Sequence, residues 1–509
     1  MIRNPQLIVN YDFSGGINIS KPPHLINDDE CFANLSTFDG TKNCRWSNGI
    51  AKRGGTEKVN DDAVGNKIVN GKRFYRSAAP AKTTICAIDD TDIRHYYLDG
   101  ESAFQEIEKD DPQIVTGNDI HFTTWKDKLY SASGNQLLQV ITYDGGWAID
   151  DITGLTYKPQ YVCQHKDRLF AAGGDMPQGY LECTGYESDS EWATGDGEAF
   201  NVGYKDGDPI RQLVGLKDNL IVYKQDSIWV LRGDNAQNWF QHRDEKAVGC
   251  YAPHSVADVI YGHIFLSIDN VYFFDGERLI PIGDNIKPWL DLIPIAYREN
   301  ACATYYDGWY RLSFANGTYN NKELLFDINK FVSTGRTAWW LNDGRNINNY
   351  IVYDGPDDDN TIHMCDSNAG HLRKMDTGTQ DDTVDVENQF YSKHYGMGNP
   401  NIEKMYDRLK VDLSMSVGTV YLTLIKGLGI ESQLEIEFGI DTGSATNLWG
   451  TGVWGVCKWQ SSDLTRFTHE VAIPAKMDGT TLAFLLKHKT SQAGVKFFGA
   501  SLLWAPKSF

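Results

Sequence analysis

The sequence predicts an all-β protein: a β-propeller of six to eight blades, with seven favoured, followed by a C-terminal β-sandwich or jelly-roll domain. Three observations carry this reading. Short runs of alternating apolar and polar residues recur along the chain, as half-buried strands require. Asn-Gly and Asp-Gly pairs separate many of them, supplying the positive φ angles of tight hairpins. Glycine, at 48 of 509 residues, exceeds the usual ~7% and suits turns better than long helices. The chain also has 14 Trp, 26 Tyr and 22 Phe, which bury large areas and argue against bulk disorder despite a hydrophobic content of 41%.

The first 60 residues form an N-terminal arm that reads as a docking segment. Within it a short helix is expected: Asn27 can cap it, Asp28 to Glu30 fill the first turn, and Phe32 and Leu35 give an apolar face. Residues 61–375 hold the repeat. Its successive runs centre on Ile85, Leu129, Leu169, Leu220, Ile264, Tyr310 and Ile351, at spacings of 44, 40, 51, 44, 46 and 41. A period of ~40–50 residues with several strands per unit marks a propeller, whose blades cannot bury both faces alone. The rival is a long array of sandwiches with coincidental spacing. Between two units lies DNIKPWLDLIPIAYREN, where Pro288 and Pro294 limit any helix to short turns. After residue 375 the period stops, and residues 385–509 carry six or more alternating strands suited to a sandwich.

Composition excludes several functions. No stretch approaches the ~18 apolar residues of a membrane span, and the opening MIRNPQLIVNYDFSGG lacks a signal-peptide core, so a protein of the cytoplasm is expected. The nine cysteines are scattered with no C-x-x-C pair, which argues against a disulfide framework or zinc ribbon. A net charge of −20 opposes broad phosphate binding. No phosphate loop, nucleophile elbow or H-E-x-x-H pair occurs, so no enzyme activity and no cofactor is expected.

Three local groupings invite a chemical reading. Asp189 and Glu191 beside Trp192 could form an acid pair with a sugar-stacking ring, or a solvated loop anchored by a buried Trp. The acidic stretch at 354–360 has carboxylates suited to Ca²⁺ but not EF-hand spacing. His363, Cys365 and His371 lack a completing Cys pair for zinc.

Several segments resemble tailed-phage virion proteins. The entry carries Asp12, Phe13, Gly15 and Gly16, then Pro22 and Pro23, and then a Gly-x-x-x-Arg-Gly turn at Gly49, Arg53 and Gly54. The middle carries Ser190 to Trp192, Gly207 to Ile210 and the pair LIVYK and SIWVL. The later NACATYYDGWYRLSF and the segment opening at Lys404 are similar too. The resemblance is to the propeller-containing tail hub or nozzle proteins of short-tailed bacteriophages, also called head-completion or DNA-stabilisation proteins. It implies a non-enzymatic virion protein in the tail or neck, assembled in the host cytoplasm as a ring, usually a hexamer. Such a ring sits below the portal and adaptor, lines and closes the DNA exit channel, and carries needle, fibre or tailspike proteins. Genomic DNA would pass without specific binding at ejection, and no membrane would be involved. The alternative from another class is a peripheral tail adhesin or glycan-degrading propeller.

Charge patterning reads either as ordinary solvated faces or as an interface. Residues 42–82 carry ten bases against three acids, and residues 341–390 carry eleven acids against three bases. Opposite patches favour register in a head-to-tail ring. Lys52, Arg53, Lys72, Arg73 and Arg76 are the candidate basic contacts, with Asp357, Asp358 and Asp359 as acidic counterparts on a neighbour. Trp339, Trp340, Trp449, Trp454 and Trp459 are either interface anchors or core.

Overall fold

The computed structural model describes residues 5–507, leaving out 35–37, 39, 101, 110–113, 236–237, 245–246, 318, 356, 400, 416–417, 428–431, 441–464 and 490–494. Strand dominates, and the few helices are short. Six consecutive four-stranded antiparallel meanders follow one another from Lys67 to Asp343. The first uses Lys67–Tyr75, Lys82–Asp89, Ile93–Asp99 and Ala103–Glu106; the second His121–Trp125, Lys128–Ala132, Gln139–Tyr143 and Trp147–Asp151. The third runs from Tyr161–His165 to Glu198–Asn201, and the fourth from Ile210–Leu216 to Phe240–Arg243. The fifth opens with Ala257–Val259, and the sixth spans Cys302–Tyr306 to Trp339–Asp343.

The seventh sheet is built differently. Ile347–Tyr353, Thr361–Asp366 and Leu372–Thr377 supply three strands, the fourth is Gly55–Lys58, from the opposite end of the chain, and the short Gln380–Asp381 and Val384–Asp385 continue the sheet beyond it. The opening strand of the first sheet packs beside that of the second and beside that of the seventh. Similar contacts join second to third, third to fourth, fifth to sixth and sixth to seventh. Between the fourth and fifth, the Tyr223 hydroxyl bonds His263 Nδ1 at 2.9 Å and His263 Nε2 donates to the Gly215 carbonyl at 3.2 Å.

Alternation explains the layers. Within Asn219–Lys224, Leu220 and Val222 join a core with the third sheet, while Ile221 and Tyr223 join another with Phe265 and Phe274 of the fifth. Both faces of a central sheet are thus apolar, and each needs a neighbour. The repeating runs located in the sequence are the second strands of the first six sheets; only the run at Ile351 is a first strand.

Apart from a two-stranded parallel pair, Gly16–Ile17 with Glu30–Cys31, the remaining strands form two sheets around one core. One contains Cys44–Trp46, Ile50–Lys52, Lys496–Pro506, Lys404–Met415 and Thr465–Ala472, with Gln6–Asn10 along Lys496–Pro506. The other contains Glu387–Tyr391, Leu482–Lys489, Gly418–Lys426 and Ser432–Ile440. Leu409, Val411, Leu502 and Trp504 of the first face Phe390, Leu422, Leu424 and Phe484 of the second.

Two expectations about the N-terminus need correction. The arm at 1–60 is not a separate unit, because it contributes strands to the double sheet and to the seventh sheet. The helix expected from Asn27 does not form: Glu30–Cys31 pairs in parallel with Gly16–Ile17. Glu30 turns its carboxylate back to the Asn27 N–H at 2.8 Å and to Asn18 Nδ2 at 3.1 Å, and buried strand pairing outweighs one marginal helical turn. Leu35 lies outside the described residues. Conversely, Ile328–Thr334 is helical, capped by Asp327 and ended by Gly335 at φ +70°. The prolines act as expected, leaving only Lys287–Leu292 and Ile295–Arg298 as short helices. Among the described residues no helix is long and apolar enough to cross a membrane.

Candidate functional site

Three clusters of charged side chains gather residues distant in sequence. The first lies where the seventh sheet meets the first. Asp358 accepts from Arg73 through both oxygens, at 2.8 and 3.0 Å, and from the Tyr75 hydroxyl at 2.8 Å. Lys82 Nζ lies 2.9 Å from the same carboxylate and donates to the Asp357 carbonyl at 2.5 Å. Burial pushes the Asp358 carboxyl upward, but these donors override it and hold the group well below the ordinary range. The Arg73 guanidinium also covers the Tyr353 ring at 4.2 Å, and Tyr353 stacks on His363 at 3.9 Å. Arg76 sits over Tyr143 at 4.7 Å and near Trp147 at 5.9 Å.

The second cluster joins the seven-sheet body to the double sheet. Arg53, only 4% exposed, donates to both oxygens of Asp381 at 2.6 and 3.0 Å, to the Asp343 carbonyl at 2.9 Å and to Asn43 Oδ1 at 2.8 Å. Behind it Arg311 pairs with Glu323 and Asp376, and Arg345 donates to Asp376 at 3.2 Å. Burial opposes ionisation of Asp376, yet Arg311, Arg345 and Arg45 keep its carboxyl far below the usual range. Gly54 and Gly55 permit this closeness: a Cβ on Gly55 would lie 1.8 Å from the Gln380 carbonyl oxygen.

The third cluster links sheets that are not neighbours in the chain. Asp119 and His121 begin the second sheet, and His254 precedes the fifth. Asp119 Oδ2 is 2.6 Å from His254 Nε2 and 3.2 Å from His121 Nε2. Burial works against the Asp119 carboxylate, but the two imidazoles hold its pKa well below normal. Burial and His254 lower that of His121. The rings stack at 4.1 Å and 8° from parallel. Parallel stacked rings cannot both hold one ion in their planes, so the arrangement is a carboxylate shared by two imidazoles rather than a preformed tetrahedral cage.

Amides surround this cluster through a repeated device. The opening strands of the first, fourth and seventh sheets each carry a bulge, at Ile68/Asn70, Ile210/Gln212 and Ile347/Asn349. In each the amide oxygen of Asn70, Gln212 or Asn349 accepts the next backbone N–H, at 2.7, 2.9 and 2.8 Å. The amide nitrogen then reaches another sheet: Asn70 donates to the Ile120 carbonyl at 2.6 Å, Gln212 to the Pro253 carbonyl at 3.3 Å, and Asn349 lies 3.4 Å from His254 Nδ1.

The candidate contact residues are therefore distributed as follows. Arg53, Arg73 and Asp358 are held by partners within the same chain. Arg76 is stacked on aromatics, Lys52 is half-buried in the double sheet, and Lys72, Asp357 and Asp359 are exposed. Arg73 with Asp358 and Arg53 with Asp381 thus pair residues of the basic and acidic segments inside one chain. Trp339 and Trp340 are fully buried, and Trp449, Trp454 and Trp459 lie outside the described residues. Asp189 accepts from Lys128 at 2.5 Å and Tyr130 at 3.1 Å beside a buried Trp192, which is an anchored loop. His371 Nδ1 lies 3.3 Å from the Asn60 carbonyl, and Cys365 is buried, with its thiol pushed well above normal by that burial. Among the described residues only Asp119, His121 and His254 gather three potential ligands within reach.

No protein family and no curated protein matches this sequence. Among solved structures, the chain is similar to the computationally designed Ika8 protein, at 12% identity and a TM-score of 0.37, covering 63% of this chain and 99% of that one. A likeness of that size carries no argument about function.

Proposed function

We propose that the seven sheets are the blades of one propeller and that the protein is a non-catalytic scaffold. The observation that carries this reading is the pairing of Gly55–Lys58 with Leu372–Thr377, together with the contact between the opening strands of the seventh and first sheets. A strand from one chain end completing the last blade staples a disc shut.

On that reading the Asp119–His254 contact spans the disc axis, and the amides of Asn70, Gln212 and Asn349 crowd the same mouth. A duplex could not thread a disc clasped in this way. Any DNA conduit must then lie between copies of the protein, where a net charge of −20 per subunit gives a wall that repels phosphate.

Sequence resemblance supplies the biological setting: a virion tail hub or nozzle, ring-forming, below the portal and adaptor. The clustered acids supply no obvious acid–base pair for glycan cleavage. Glu182 and Asp258 are carboxyls raised by burial, and they lie on strands of different sheets. Native mass spectrometry and electron microscopy of the purified protein test the scaffold: a closed ring, six-fold by expectation, supports it, and a strict monomer at high concentration and in the particle removes it.

A further inference from the structure

A cleft of about 1100 Å³ opens among the first, second and seventh sheets, beside the Arg73–Asp358 pair. Its size suits a ligand of several units rather than an ion, since drug-sized sites span roughly 300–1,000 Å³. Four aromatic rings line it: Tyr97, Tyr143, Trp147 and Tyr353. All four are partly exposed. Trp147 lies 5.6 Å from Tyr97 and 5.1 Å from Tyr143, forming a continuous aromatic wall. Gly100, Gly145 and Gly146 form an open rim beside it, for a Cβ on any of them would meet nothing within 4 Å.

The charges in this cleft cancel. Four basic side chains, Lys58 and Lys374 among them, are matched by four acidic ones. A phosphate site would show an excess of cations, and a cation site an excess of carboxylates. Aliphatic pockets of the kind that seat peptide side chains are also scarce, with Val59 and Leu98 as the larger ones. His363 also lines the cleft, is 4% exposed, and has no hydrogen-bond partner at Nδ1, so its ring nitrogen is free to bond a hydroxyl that reaches it.

We infer that this cleft binds a neutral oligosaccharide. Sugar rings present C–H faces to aromatic planes and hydroxyls to a mixed field of donors and acceptors, which is the lining found here. Trp147 and Tyr97 are the stacking platform, and Lys374 and His363 are hydrogen-bonding groups. The inference goes beyond the scaffold reading and does not depend on it, because the cleft lies within one chain.

The experiment is a glycan microarray of neutral, sialylated and sulfated oligosaccharides probed with the full-length protein and three variants. The expected result is retention of at least one neutral class, reduced tenfold or more by Trp147→Ala and by Lys374→Met and unchanged by Phe240→Ala, which removes an exposed ring elsewhere. Lys374→Met leaves the aromatic wall intact and keeps the test decisive if Trp147→Ala does not fold. No neutral glycan retained, retention indifferent to both cleft variants, or binding confined to sulfated glycans would overturn the inference. None of these outcomes bears on ring assembly, which is measured separately.

Discussion

Arg53 and Asp381, 328 residues apart in the chain, are joined by two hydrogen bonds of 2.6 and 3.0 Å at the junction between the seventh sheet and the double sheet. The guanidinium also donates to the Asp343 carbonyl at 2.9 Å and to Asn43 Oδ1 at 2.8 Å, so one side chain ties its own segment to those at 43, 343 and 381. Arg is suited to this because its planar fork offers several fixed donors and stays charged when buried.

Removing Arg53 leaves Asp381 without its main partner and exposes unsatisfied carbonyls. Arg53→Ala should therefore destabilise the protein by roughly 3–5 kcal/mol, the usual cost of breaking a buried pair. Urea denaturation followed by circular dichroism measures it. Arg53→Lys should recover less than half, because an ammonium cannot reproduce the bidentate geometry.

Reversing the Arg73 charge separates an internal role from an intermolecular one. Arg73→Glu sets a carboxylate against Asp358, whose side chain is only 4% exposed, and should cost about 2 kcal/mol or more. If the pair acts within the chain, the exchange Arg73→Asp with Asp358→Arg should restore part of the melting temperature of the isolated protein. Loss of ring formation with unchanged melting in Arg73→Glu would instead assign the pair to an interface.

Acid sensitivity should come from histidines before carboxylates. Burial lowers His95 and His363 to about 3 and His263 and His488 to about 4, with Lys109 adding to the effect at His95, Lys374 and Arg73 at His363, and Lys52 at His488. These groups stay neutral in the fold while the unfolded chain binds protons below pH ~6.5. The unfolded state then holds more protons, so stability falls as pH drops from ~6.5 toward 4 and 3. Each pKa unit is worth up to about 1.4 kcal/mol per group. Asp376, held low by its arginines, acts in the same direction but in a lower window, its stability being lost only below the ordinary carboxylate pKa of ~3.9. Denaturation midpoints at pH 7.0 and 5.0 should differ clearly, and His263→Gln should flatten that difference. Equal midpoints in the native protein would refute the assignment.

The repeat was legible in the sequence because its second strands are short apolar runs, buried on both faces, and hairpins declare themselves through Asp-Gly and Lys-Asp turns. DNLIVYK and DSIWVLRG appear as Asn219–Lys224 and Ile228–Arg232. First strands were harder to see, since Tyr161–His165 and Cys302–Tyr306 mix polar residues into their inward positions. The Gly-x-x-x-Arg-Gly turn was visible as a motif, but its reason was not: Gly54 and Gly55 clear space against residues 376 and 380, which no local pattern encodes. The charge segments suggested a contact between copies, whereas Arg73 with Asp358 and Arg53 with Asp381 pair within one chain, which local charge counts could not say. The Asp119–His254 clasp left no local signal, because its members are 135 residues apart and each looks like an ordinary loop residue.

The Gly55–Lys58 strand of the seventh sheet offers the sharpest test of how that sheet is completed. Gly55–Lys58 pairs with Leu372–Thr377 through four partners, from Arg373 with Lys58 to Thr377 with Gly55. Gly55→Val keeps the strand but forces side-chain atoms into the backbone at Gln380, since even a Cβ would lie 1.8 Å from that carbonyl. Overpacking of this kind costs roughly 1–3 kcal/mol, and against backbone the strain cannot be relieved by a rotamer change. Deleting residues 1–58 goes further: it strips the fourth strand from the seventh sheet and Gln6–Asn10, Cys44–Trp46 and Ile50–Lys52 from the double sheet. The exposed edge of Leu372–Thr377 would then be a template for association. Limited proteolysis should cut the truncated protein around residues 372–385 while the full chain resists there. Equal resistance in the two proteins would mean that the N-terminal strand decorates a body already closed without it.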